Sequence, residues 1–118
     1  MANELTLQIT FAATKGDSIQ VSWSKTGDIA GDESAKVNVS VGTAAQALNM
    51  GGLDSCQALA FKNTDATNYV ELSYNNDGSA PFAQVDPGAA CLFRPTSTTI
   101  YAKAHTAACA CSYCAVEV

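Results

Sequence analysis

The stretch "HTAACACSYCAVEV", residues 105–118, decides how this chain folds. It places three of the five cysteines, Cys109, Cys111 and Cys114, within six residues, and its first residue, His105, is the only histidine. A metal site, a redox pair, a disulfide knot and a core strand each make a different demand on it. Structural zinc takes four soft ligands, usually as two pairs of closely spaced residues. Cys111 and Cys114 have the spacing of one pair, and a second forms only if folding brings Cys56, Cys91 or His105 alongside. As a strand the segment alternates its side chains, so Cys109 and Cys111 share one face while Cys114 lies on the other with Val116 and Val118. That geometry separates the thiols that a metal would gather. A Cys-x-x-Cys redox pair opens a helix, whose dipole lowers the thiol pKa, whereas "AVEV" after Cys114 is strand-like. An odd number of cysteines cannot form a complete intrachain disulfide set. Free cysteine is among the most buried residue types. The segment therefore reads as the last core strand, its thiols serving as small apolar residues. Metal or iron-sulfur ligation by Cys109, Cys111, Cys114 and His105 is one alternative, and a redox or intermolecular disulfide role is the other.

The same alternation runs through the rest of the chain. "ELTLQITF" sets Leu5, Leu7, Ile9 and Phe11 on one side, "SIQVSWS" sets Ile19, Val21 and Trp23, and "KVNVSV" sets Val37, Val39 and Val41. Period two predicts half-buried strands, and Trp23, in phase with Ile19 and Val21, is expected in the core. Gly- and Asp-rich turns lie between them. The second half adds "CQALAFKN" and "NYVELSY", joined by the turn "TDAT", then "AACLFRP", "TIYAKAH" and the cysteine segment. One or two helical turns fit only around "TAAQALNMGG". About eight short strands with no linker or repeat predict an all-β chain: one antiparallel β-sandwich spanning residues 1–118, jelly-roll or immunoglobulin-like.

Composition narrows the function classes. Only 14% of the 118 residues are charged, well below the roughly 25% usual in soluble domains, which suits packing against other protein. The net charge is -5, and Lys15, Lys25, Lys36, Lys62, Arg94 and Lys103 are scattered, so a nucleic-acid partner is not expected. No apolar run approaches the roughly 18 residues of a membrane span, and "MANELTLQ" carries no signal-peptide pattern. Synthesis in a cytosol with reduced thiols is expected.

Other chemistry finds weaker support. Any histidine-based catalysis would have to run through His105, and no nucleophile-elbow pattern accompanies it. Asp28, Asp32 and Glu33, and Asn75, Asn76 and Asp77, offer oxygen ligands of the kind calcium uses, but turns select the same residues. Trp23, Tyr69, Tyr74, Tyr101 and Tyr113 could stack on sugars. No cofactor and no catalytic residue is expected.

Along "FKNTDATNYVELSY", "VDPGAACLFRPTSTTIYAKAHTAA" and the final "VEV" the chain resembles small all-β structural proteins of tailed bacteriophages, of the capsid cement or decoration type. The likeness rests on an Asn-x-Asp-x-Thr-Asn-Tyr-Val turn-strand at residues 63–70, a Pro-Gly-x-x-x-Leu-Phe-Arg strand at 87–94 and Tyr-Ala-Lys-Ala at 101–104. It covers the C-terminal half, and the cysteines of the last strand depart from the more aliphatic pattern of such proteins. On the residues alone, "NTDATN" suits a tight hairpin, Pro87 and Gly88 end a loop before a buried strand, and Arg94 is expected to tie a strand end to a carboxylate or carbonyl, with an intersubunit contact as the alternative. The resemblance implies a non-enzymatic virion protein on the capsid exterior. Its expected partners are the major capsid protein and further copies of itself in symmetric contacts. Two other classes stay open: a tail, fibre or adhesion module presenting "KTGDIAGDES" and "NNDGSAP" to carbohydrate or protein, and a small metal-binding or redox protein.

Overall fold

A computed structural model describes residues 5–13, 19–27, 34–50, 56, 58–97 and 99–116. Every regular element among them is a strand, in the order β1 (Leu5–Ala13), β2 (Ile19–Gly27), β3 (Ser34–Val41), β4 (Gln46–Ala47), β5 (Ala58–Asn63), β6 (Val70–Ser73), β7 (Ala83–Val85), β8 (Ala90–Phe93), β9 (Tyr101–Ala104) and β10 (Cys109–Val116). All pairings are antiparallel. They form three sheets: the hairpin β1-β2, a four-stranded sheet β3-β10-β5-β8 and a four-stranded sheet β4-β9-β6-β7. The fold is thus all-β and antiparallel, built from three sheets where one eight-stranded sandwich was expected. The chain divides into two compact units, Met1–Asp32 with Val118, and Glu33–Glu117.

In the larger unit the cysteine segment is an inner strand. β10 pairs with β3 on one side, Cys111 opposite Val39 and Tyr113 opposite Val37, and with β5 on the other, Cys111 opposite Asn63 and Tyr113 opposite Phe61. Cys109, Cys111, Tyr113 and Ala115 point inward and are buried. One apolar cluster joins Leu59, Phe61 and Cys111 of this sheet to Val70, Leu72, Val85 and Ala102 of the other. Phe61 stacks on Tyr113 at 6.1 Å between ring centres, and the Tyr113 hydroxyl donates to the Asn49 carbonyl at 2.7 Å. A buried tyrosine needs such an acceptor for its polar end.

Several local expectations are corrected. No helix forms around residues 43–50; Gln46 and Ala47 instead pair with Ala102 and Tyr101, and the Leu48 N–H donates to the Ile100 carbonyl at 2.8 Å, so backbone pairing outweighs a weak local helical preference. The turn "NTDATN" does not close a hairpin, because β5 and β6 belong to different sheets. The strand after Pro87 and Gly88 is an edge strand, half-buried rather than buried. The turn before it is as the sequence suggests. The Ala89 N–H donates to the Asp86 carbonyl at 2.9 Å and Gly88 has φ +75°, a type II turn with proline at its second position and the left-handed residue at its third.

The smaller unit is a hairpin of nine paired positions, Leu5 opposite Gly27 through Ala13 opposite Ile19, without a bulge. Ile9 faces Trp23 and Phe11 faces Val21, so these four side chains share one face. That face is exposed, Phe11 at 59%, Val21 at 58% and Trp23 at 46%. Trp23 is therefore not a core residue. Alternation shows which face a side chain occupies, and a two-stranded hairpin supplies no second layer to cover it.

Candidate functional site

The predicted ligand set does not converge. Cys109 and Cys111 lie inside, Cys114 is exposed on the outer face of the same strand opposite Lys36, and His105 is exposed with its ring stacked on Tyr69 at 4.5 Å. All five thiols are free. Cys114 thus departs from the reading of these cysteines as buried apolar residues, because β10 turns every second side chain outward. Among the described residues no three His, Cys, Asp or Glu side chains gather as metal ligands. Burial pushes the Cys111 thiol up to about 11, with Cys109 and Asp65 adding to the shift. Burial also raises Cys56, Cys91 and Cys109. Protonated thiols of this kind are poor nucleophiles and poor ligands.

The segment at residues 63–68 is a polar keystone. Asn63 has no exposed surface. Its amide donates to the Asn68 carbonyl at 2.9 Å and the Val85 carbonyl at 3.0 Å, and its side-chain oxygen accepts the Asp65 N–H at 3.0 Å. Asp65 Oδ2 accepts the N–H groups of Asn68 at 2.8 Å and Thr67 at 3.0 Å, which hold its carboxyl below the usual carboxylate range. The Thr64 hydroxyl and N–H both donate to the Ala110 carbonyl, and the Thr106 hydroxyl donates to Asn68 Oδ1 at 2.6 Å. Thr106 has φ +36°, a conformation costly for a β-branched residue, and this hydrogen bond helps hold it. These polar side chains are occupied in carrying the chain from one sheet to the other.

The remaining candidates separate in the same way. In "NNDG", Asp77 Oδ1 accepts the Ser79 N–H at 2.9 Å and the Asn75 amide donates to the Ser79 carbonyl at 3.0 Å. Gly78, with φ +76°, closes this turn where a Cβ would stand 3.0 Å from the Lys103 side chain. Asp28, Asp32 and Glu33 lie outside the described residues. Tyr113 is buried, Tyr69, Tyr74 and Tyr101 are half-buried, and the Tyr74 ring stacks on Phe82 at 4.5 Å while its hydroxyl accepts the Thr96 N–H. Arg94 is exposed, and among the described residues its side chain makes no hydrogen bond or ion pair.

Two surfaces stand out instead. One is the apolar hairpin face, whose strands were legible in sequence but whose exposure was not. The other is the outer face of β3-β10-β5-β8, which alternation alone marks as solvent-facing. It carries a shallow groove of about 300 Å³ bordered by Lys36, Lys62, Ser112 and Cys114, and an adjoining one of about 410 Å³ bordered by Asn38, Ser40, Thr64 and Ala110. No helix among the described residues is long and apolar enough to cross a membrane. No protein-family model, curated protein or solved structure matches the chain.

Proposed function

We propose that the chain is a non-enzymatic structural protein of a tailed-phage virion, a cement or decoration protein bound across neighbouring major capsid protein subunits. The observation that carries this reading is the exposed apolar face of the hairpin, with Ile9, Phe11, Val21 and Trp23 side by side. Contiguous apolar surface on a soluble protein commonly marks an interaction site, and a two-stranded hairpin is marginal in water by itself. Seating that face on another protein relieves both costs. The low charge and the resemblance of residues 63–70, 87–94 and 101–104 to phage structural proteins point the same way. In this reading the two four-stranded sheets are the layers of a β-sandwich around the shared core. Repeated modest contacts over a symmetric shell would then resist internal pressure.

Quantitative mass spectrometry of purified virions tests the proposal. The expected result is a copy number comparable to that of the major capsid protein. A few copies per particle would overturn the capsid assignment in favour of the tail, and absence from the particle would overturn the virion reading altogether.

A further inference from the structure

We infer that the outer face of the β3-β10-β5-β8 sheet docks a carboxylate-bearing protein surface. Charge is segregated on this face. Lys36, Cys114, Ala60 and Leu92 form one row across the four strands, and Asn38, Ser112, Lys62 and Ala90 form the next. Lys36 and Lys62, two of the six basic residues of a chain with net charge -5, thus share one sheet face, on whose described strand positions no Asp or Glu occurs. Lys36 and Lys62 are exposed and have no ion-pair partner among the described residues.

The shape fits a protein occupant. Ala60, Ala90 and Ala110 are exposed and small, so a partner can approach the sheet closely. The grooves lie on this same face, bordered by both lysines and by Asn38 and Ser112, which pair neutral hydrogen-bonding groups with the charges. Strand spacing sets the two lysine Cα atoms about 12 Å apart. That separation suits single carboxylates on a folded surface. Duplex DNA, with a charge every ~1.7 Å, requires a denser cation array and would be repelled by the acidic remainder of the chain. The inference needs only a protein partner and holds for any location in a virion or outside one.

The test uses the whole ¹⁵N-labelled protein titrated with poly-L-glutamate at low salt. Amide shifts are expected at Asn38, Lys62, Ser112 and Cys114. The double variant K36E/K62E should weaken binding at least about tenfold, while K25E/K103E, with the same change in net charge, should stay within about twofold. If K36E/K62E loses its folded spectrum, K36Q/K62Q takes its place. Absence of binding, shifts confined to other surfaces, equal loss in the two charge-matched variants, or tighter binding of duplex DNA would each overturn the inference. The virion copy number is measured separately, so failure here leaves the capsid assignment standing and the reverse also holds.

Discussion

At Asn63 one fully buried amide satisfies two carbonyls and one N–H, at Asn68, Val85 and Asp65. Replacing it by leucine keeps the volume and removes all three partners at once. A polar group left buried and unpaired costs about 1–3 kcal/mol, and of the three partners the Val85 carbonyl is the buried one, so Asn63→Leu is expected to lower the unfolding free energy by about 2 kcal/mol or more, read from urea denaturation. Asn75→Ala, which removes hydrogen bonds at an exposed site, should cost under about 1 kcal/mol. Equal losses would mean that Asn63 is one more turn residue. Its role was not legible in the sequence, because the Val85 carbonyl is 22 positions away and only tertiary structure brings it near. The cysteines were legible in part. Strand parity alone put Cys109 and Cys111 on the face opposite Cys114, and the structure keeps them there, but parity does not say that the outer face stays open.

Among the elements, length decided what could be read. The alternation in β1, β2, β3 and β10 extends over eight or nine residues, enough to fix both strand and face. β4 and β7, of two and three residues, are too short to show a period and exist because β9 and β6 offer them backbone partners. The hairpin face illustrates the limit of such reading. Phe11 and Phe61 both occupy apolar positions of alternating strands, yet one is 59% exposed and the other 0%. Phe61→Ala is expected to destabilise the free protein by about 3–5 kcal/mol, and Phe11→Ser to change it by under about 0.5 kcal/mol. Chemical denaturation of both variants checks this. A large loss for Phe11→Ser would mean that its face is already covered in the free protein.

At the scale of the whole molecule, backbone pairing is uneven between the two units. β10 and β5 are inner strands, paired on both sides, and their inward side chains Cys111, Tyr113 and Phe61 lie in the core. Among the described residues β1 and β2 pair only with each other, through nine aligned positions, with exposed side chains at Ile9, Phe11, Val21 and Trp23. Local opening should therefore need far less free energy in the hairpin than in β10. Native-state hydrogen exchange of the free protein is expected to be slowest at the amides of Cys111, Tyr113 and Phe61. Hydrogen-bonded amides of β1 and β2 should exchange at least about a hundredfold faster. Uniform protection would instead show that the hairpin opens only with the rest of the chain, as one cooperative unit. The contrast also links fold to function: if the apolar face is the part that another protein covers, β1 and β2 are the strands whose exchange must slow most on assembly, while β10, already protected, changes little.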